Sequence, residues 1–228
     1  MTRTRTALVT GANRGIGAAT ARALHRAGWH VVLAARDGRA AREAAEALGP
    51  GARGIALDVT SAHSVAAARE HTGPVDALAA NAGVLLDAGT DPLTVPLDTV
   101  RATLEVNLLG AWRVCQCYVP DMARAGWGRV ALLSSGTGTF GGGLRSGPAP
   151  GYSVSKTAVN ALTVLLAERL RGSGVLVNAV NPGPTRTRMM PGADRTPEEA
   201  AADLVHALGL PADGPTGVLL RHGRPAPW

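Results

Sequence analysis

The chain has 228 residues, near the upper size of one compact domain, and is 46% apolar with 29 glycines and a single phenylalanine, which suits a core packed through Ala, Val and Leu and excludes a disordered chain. The formal charge is +6, but the arginines are spread from Arg3 to Arg224 without a dense block, which argues against nucleic acid and for one anionic ligand. No apolar stretch reaches the roughly 18 residues a membrane-spanning helix needs, no export leader is expected, and Cys115 and Cys117 stand two apart on an expected helix where their side chains diverge, so neither a disulfide nor a metal clip is expected and a reducing cytoplasm is.

Short apolar runs alternate with Ala-rich helical stretches along the chain, the pattern of βαβ units and a mainly parallel sheet. The first predicted strand, 7–9, is followed at once by Thr10-Gly11-Ala12-Asn13-Arg14-Gly15-Ile16-Gly17 and a predicted helix over 16–27. Glycines there let the turn pass close to a pyrophosphate seated on the helix N-terminus. The spacing G-x-x-x-G-x-G departs from the commoner G-x-G-x-x-G, and a plain tight turn is the competing reading.

The second strand, 31–34, runs out into Ala35-Arg36-Asp37. A carboxylate at this place hydrogen-bonds a ribose 2′-OH, whereas an arginine accommodates a 2′-phosphate. Arg36 and Arg14 can converge on that phosphate through their forked donors, which predicts NADP(H). Asp37 offers the opposite reading, by receiving the 2′-OH or by pairing with Arg36.

A helix over 39–48, a strand over 54–57, a helix over 61–70, a strand over 77–80, a long helix over 98–125 and a strand over 130–133 follow. Then come a helix over 152–171, a strand over 175–180, a helix over 197–208 and a short strand over 218–220. The helix over 197–208 has the clearest start, with Thr196 as N-cap, Pro197 first and Glu199 as capping-box partner. The result is a doubly wound α/β sheet of seven strands in one domain, 1–228. Two Gly/Pro-rich stretches, 136–151 and 182–192, follow strands on the edge where such sheets bind ligands, and are read as walls of a site.

Tyr152-Ser153-Val154-Ser155-Lys156 opens a helix, and the i, i+4 spacing sets the phenol and the ammonium on one face. A nearby cation lowers a phenol's pKa from about 10 toward working pH, which suits acid–base chemistry. Tyr-x-x-x-Lys alone is a weak signal, but Lys156 is the only lysine against 22 arginines. A chain that otherwise uses Arg throughout keeps here a compact, titratable ammonium that a guanidinium cannot replace. The six histidines show no metal-ligand spacing.

Together these residues resemble the short-chain dehydrogenase/reductase family over nearly the whole chain. The glycine turn, Asp58-Val59, Asn81-Ala82-Gly83, Asn107, Ser134-Ser135, Tyr152/Lys156 and Asn181-Pro182-Gly183 occur in the family's order, and the segments around Arg36 and the C-terminal Pro227-Trp228 look like its carbonyl-reductase-like, NADPH-using branch. The resemblance implies a Rossmann-type three-layer αβα sandwich and reduction of a ketone or aldehyde to an alcohol, or the reverse. In it Tyr152 is the proton donor, Ser135 hydrogen-bonds the same carbonyl oxygen, and Lys156 binds the nicotinamide ribose and lowers the tyrosine pKa. Asn107 holds a water that links Lys156 to solvent.

The resemblance also implies cofactor contacts from Gly11, Asn13, Arg14, Gly15, Ile16, Gly17, Arg36, Asp58 at the adenine, Val59, Asn81, Ala82, Gly83, Pro182, Gly183, Thr185 and Thr187, and a homodimer or homotetramer through the long helices. Ordinary capping is the competing reading for Asn81 and Asn107. Ser135 lies seventeen residues before Tyr152, about four more than the family's usual spacing, so Ser134 is a fallback. An enzyme of other net chemistry on this scaffold, such as imine reduction, epimerisation or dehydration, and a dinucleotide-binding regulator without turnover are the alternatives.

Overall fold

The computed structural model describes residues 4–146 and 148–228. Strand β1 (Thr6–Thr10) leads into helix α1 (Gly15–Arg26), β2 (His30–Ala35), α2 (Gly38–Glu46), β3 (Ala52–Ala56), α3 (Ala62–Thr72) and β4 (Ala77–Ala80). The second half runs α4 (Leu97–Leu104), a π-helical segment (Glu105–Gly110), α5 (Ala111–Arg124), β5 (Gly128–Leu133), a 3₁₀ turn (Gly136–Gly138) and the short α6 (Gly143–Ser146). It ends with α7 (Pro150–Arg169), β6 (Val175–Val180), α8 (Pro197–Leu208), β7 (Leu219–Arg221) and β8 (Arg224–Ala226).

The strand order is β3-β2-β1-β4-β5-β6-β7-β8, parallel through β7. This is the doubly wound Rossmann-type sheet, whose order reverses beside β1. Eight strands replace the expected seven, because the chain turns back after β7. His222 and Gly223 both have positive φ (51° and 71°), the pair of left-handed residues that a two-residue hairpin turn requires, and β8 then pairs antiparallel to β7.

Alternation along the strands splits the core into two layers. Leu8, Val32, Leu78 and Val130 face Val65, Val114, Tyr118, Met122 and Val159 of α3, α5 and α7. Their neighbours Ala7, Val9, Val31, Leu33 and Ala131 face Ala21 and Leu24 of α1 and Leu204 and Leu208 of α8. Each such Leu or Val contributes about 1.5–3 kcal/mol by leaving water. Where Ala is not small enough glycine appears: a Cβ on Gly54 of β3 would lie 2.2 Å from the Ala41 carbonyl oxygen of α2.

The single long helix expected over 98–125 is instead α4 and α5 joined by the π segment. Gly110 ends that segment pressed against Val59, where a Cβ would come within 2.6 Å of Cγ2, and the widened turn carries Asn107 inward, 1% exposed. The capping box read from the sequence at the start of α8 is present, and α2 and α3 carry side-chain caps that were not read there. Asp37 caps α2, Ser61 caps α3, and Thr196 with Glu199 forms the capping box of α8. Among the described residues no helix is long and apolar enough to cross a membrane.

Candidate active site

The turn after β1 is built to bring backbone close to a ligand. Gly11 and Gly15 have positive φ (64° and 55°), a conformation that costs side-chain-bearing residues energy, and a Cβ on Gly17 would lie 2.4 Å from the Gly11 carbonyl oxygen. Helix α1 begins at Arg14 without a side-chain cap and without an acidic residue in its first turn. Its N-terminus thus offers amide donors and the positive end of a dipole to an anion, which fits a pyrophosphate. Asn13 and Ile16 are half-buried in the same turn and Arg14 is exposed.

Asn81 joins the glycine turn to the end of β4. Its Nδ2 donates to the carbonyl oxygens of Thr10 (2.8 Å) and Gly11 (3.2 Å), and the Thr10 hydroxyl accepts from the amides of Asn81 and Ala82 (both 3.0 Å). Its side chain is spent on locking the glycine turn to the end of β4, the capping alternative. Val59 is buried on Gly110 with its carbonyl oxygen bound by Arg113, and Ala82 packs against the core.

At the end of β2, Arg36 is exposed. Asp37 accepts from the amides of Arg39 (2.9 Å) and Ala40 (3.1 Å), and the Ala40 amide, above all, holds its carboxyl below the ordinary value. Both bonds fall on Asp37 Oδ1, which caps α2. Asp58 lies near Arg36; its Oδ1 takes the Thr60 amide (2.9 Å) and hydroxyl (2.8 Å), and the Thr60 amide leads in lowering its pKa, with smaller help from Arg36 and Arg113.

At the other end, β5 delivers Leu133, Ser134 and Ser135 to α7. Lys156 is 3% exposed; its Nζ donates to the Leu133 carbonyl oxygen at 2.7 Å and lies 5.5 Å from the centre of the Tyr152 ring. Burial pushes its pKa down to about 8. Burial pushes the Tyr152 phenol up, and a hydrogen bond with the Ser135 hydroxyl pulls it the other way. Ser134 is turned inward to Asn160 and the Lys156 carbonyl oxygen, so Ser135 is the serine at the phenol.

Asn107 is fixed from three sides. Its Oδ1 accepts from the Val84 amide (2.8 Å), and its Nδ2 donates to the Val84 carbonyl oxygen and the Ser155 hydroxyl (both 2.9 Å). The Ser155 hydroxyl donates in turn to the Tyr152 carbonyl oxygen at 2.6 Å. The place a Cβ would take on Gly83 is 3.2 Å from Asn107 Oδ1 and 3.8 Å from Lys156 Nζ, so the missing side chain leaves open the space between these two groups.

The Gly138 carbonyl oxygen accepts from Thr157 (3.0 Å) and Asn160 (3.1 Å) of α7, tying the stretch after Ser135 to that helix, and ahead of the short α6 the Gly141 amide reaches the Trp228 carbonyl oxygen. Phe140 is 72% exposed there. After β6, Asn181 Oδ1 accepts from the Gly183 amide (3.0 Å), and the buried Thr185 donates to the Gly183 carbonyl oxygen (3.0 Å); Pro182 is buried too. Thr187 lies over the glycine turn, with Cγ2 3.4 Å from where a Cβ of Gly15 would stand. Arg195 ties this strap down, binding the Pro182 carbonyl oxygen, the Glu199 carbonyl oxygen (2.8 Å) and Asp203 (2.7 Å).

Sequence reasoning missed Asp87 and Ser155, which hold the Tyr152 turn. A carboxylate at the end of the apolar run Val84-Leu85-Leu86 is the one local sign of the first.

Residues 5–198 match the family model described as short chain dehydrogenase. The 3-oxoacyl-[acyl-carrier-protein] reductase MabA of Mycobacterium tuberculosis is 33% identical over 215 residues, covering 92% of this chain and 81% of that one. The oxidoreductase UcpA of Escherichia coli is 32% identical over 222 residues, with 90% and 81% covered. Among solved structures, the 3-ketoacyl-(acyl-carrier-protein) reductase of Brucella melitensis complexed with NADH superposes with a TM-score of 0.86 at 25% identity over 96% of both chains. A Beutenbergia cavernae protein, provisionally described as an NAD(P)-dependent gluconate 5-dehydrogenase with NADP bound at low occupancy, gives 0.85 at 31% identity over 95% and 94%. With its glycine turn, its lone buried lysine and the Ser135–Tyr152 pair in that family's order, the chain belongs to the short-chain dehydrogenases and is an oxidoreductase.

Proposed function

We propose that this single domain, 1–228, reduces the carbonyl group of a ketone or aldehyde to an alcohol, or runs the reverse, with NADP(H) as cofactor. The observation that carries the reading is the meeting of Ser135, Tyr152 and Lys156 at the end of β5. When bound, the cofactor supplies or takes the hydride. Its pyrophosphate would lie on the Gly11–Gly17 turn, its adenine at Asp58, its 2′-phosphate on Arg36 and Arg14, and its nicotinamide end between Gly83, Lys156, Pro182, Gly183, Thr185 and Thr187.

The rest follows from the side chains. A neutral phenol, kept so by burial, holds a proton at Tyr152 Oη to give to the carbonyl oxygen. The Ser135 hydroxyl donates to the same oxygen as charge gathers there, a preorganised interaction worth a few kcal/mol, on the order of those in other such sites. Lys156, charged below about pH 8, favours the phenolate that remains. A water in the space beside Gly83, with a lone pair of Asn107 Oδ1 on one side and Nζ on the other, would give a route by which the proton is replaced.

Arg36 supports NADP(H) over NAD(H), since it stands exposed at the end of β2 while the adjacent Asp37 puts its Oδ1 on the cap of α2. The names of the relatives make 3-oxoacyl thioesters the first substrate class to test. Exposed Leu109 and Trp112 on the π segment and α5, with Val154, Val164 and Leu165 on α7, support self-association into a homodimer or homotetramer through these helices, to be read by light scattering. The two cysteines are unpaired and fit a cytoplasmic protein.

The deciding experiment follows NADPH oxidation over a panel of ketones, quinones, aldehydes and a 3-oxoacyl thioester, with Tyr152→Phe as blank. Turnover that disappears in the variant while NADPH binding persists is the expected result; equal rates in both would overturn the assignment.

A further inference from the structure

Helix α7 presents Tyr152 in its first turn, and this turn has no cap of its own. Ala149 stands at the N-cap without a side-chain acceptor, and Pro150 removes one donor. The remaining amides are met from outside by Asp87, 64 residues away in the chain. Its Oδ2 accepts from the Gly151 amide, and both its oxygens lie 3.3 Å from the Tyr152 amide nitrogen. Gly151 makes room for it: a Cβ there would lie 3.0 Å from Asp87 Oδ2 and 3.3 Å from Val100 Cγ2. A second clasp joins the same segments, from the Gly89 amide to the Pro148 carbonyl oxygen at 2.6 Å.

Asp87 is 1% exposed. Burying a carboxylate costs several kcal/mol unless its oxygens are bonded and its charge opposed, and here the opposing charge is the positive end of the α7 dipole. A cap needed for helix stability alone is supplied at less cost by Ser or Asn at position 149. This chain instead places a full negative charge, out of water, under the residue that bears the reactive phenol.

We propose that Asp87 is the positioning residue of Tyr152: it pins the first turn of α7 to the 84–90 segment, and its charge cancels the helix end that would otherwise stabilise the phenolate. The inference rests on Tyr152 being the proton-transfer group. Other groups face the phenol from the elements packed on α7. Lys156 lies below it on α7 and Ser135 beside it at the end of β5. On the α4–α5 side Asn107 is neutral, Glu105 is paired with Arg113, and Asp98 and Arg101 pair in solvent; Arg145 of α6 is exposed. Among these anions Asp87 is the one bonded to the Tyr152 turn.

The test reads the phenol directly and needs no substrate. The chain has two tyrosines, and Tyr118, 0% exposed, is separated by titrating Tyr152→Phe as the blank in near-ultraviolet phenolate absorbance. Asp87→Asn, which keeps an acceptor but not the charge, is expected to lower the Tyr152 midpoint by about one pH unit, leaving NADPH affinity within about twofold of the parent. Asp87→Ala is expected to lower the midpoint similarly and to cut kcat by at least about tenfold with the KM for NADPH held. An unmoved midpoint in Asp87→Asn overturns the proposal, as does an Asp87→Ala protein that melts earlier yet keeps its kcat; if the alanine variant does not fold, the asparagine titration decides. Should the parent reduce no carbonyl, the functional reading fails while the titration still decides the part assigned to Asp87.

Discussion

Lys156 Nζ and the Leu133 carbonyl oxygen lie 2.7 Å apart, so the one lysine of the chain is tied to the strand that also delivers Ser135. Burial holds its pKa near 8 against an ordinary 10.5. Between these values the unfolded chain carries a proton that the folded chain has released, so stability rises with pH across that window; below about 8 both states are charged and the fold bears the full cost, about 3 kcal/mol. Lys156→Met removes that cost and forfeits one hydrogen bond, about 1 kcal/mol. Denaturant melts should show the variant more stable by about 1–2 kcal/mol at pH 7, the gain shrinking as pH rises toward 10.5, while turnover falls to background. A variant less stable than the parent at pH 7 would mean the ammonium is not strained by its burial.

Arg36 and Asp37 are neighbours with separate tasks. Asp37 accepts two amides of α2, so Asp37→Ala should cost about 1 kcal/mol of stability and leave the ratio of NADPH to NADH affinity unchanged. Arg36→Ala should do the reverse, weakening NADPH by at least about tenfold, or 1.4 kcal/mol, with little effect on NADH and none on melting. Titrations of intrinsic fluorescence with both cofactors measure the two variants; a parent that prefers NADH would refute the assignment.

Gly83→Ala tests the space between Asn107 and Lys156. The backbone there lacks positive φ, so alanine is tolerated conformationally, but its methyl would stand 3.2 Å from Oδ1 and 3.8 Å from Nζ, where the bridging water is proposed. We expect kcat to fall at least about tenfold at an unchanged melting temperature, measured with the substrate that the NADPH assay identifies. Full activity would place the proton route elsewhere.

The sheet was legible because its strands alternate apolar residues between two helix layers, and the capping box of α8 declares itself locally. Lys156 stood out because a chain of arginines has one lysine. Strand β8 was hidden by its length of three residues and by Pro225 in its middle, which only an edge strand accepts. The π segment depends on how closely Gly110 must approach Val59, a tertiary demand with no local pattern. Asp87 and Asn81 are caps and locks for elements 64 and 71 residues away, and no window of sequence places them there. Asn81 also shows that a residue in a ligand-binding motif can set the loop's shape through its own hydrogen bonds.

The far edge of the sheet supplies the last prediction. Arg129 opens β5 at the end away from the cofactor turn and is 1% exposed. Its guanidinium donates to the carbonyl oxygens of Leu210 (2.8 Å), Gly128 (2.6 Å) and Gly174 (3.1 Å), and stacks 4.4 Å from the ring of Trp127, which also meets Arg5 at 3.9 Å and the ring of Trp29. Desolvation, and then Arg5, lowers its pKa, yet a guanidinium stays protonated at any pH the fold survives. The charge is therefore compensated by three carbonyl dipoles and a ring face. Arg129→Met leaves those carbonyls without their donor and should cost about 3 kcal/mol in a denaturant melt. Arg129→Lys should recover little, because one ammonium cannot reproduce a planar fork that both stacks and reaches three acceptors. NADPH affinity should be unchanged in both, since the cofactor turn follows the opposite strand ends; a coupled loss of affinity would show that this edge and the site move together.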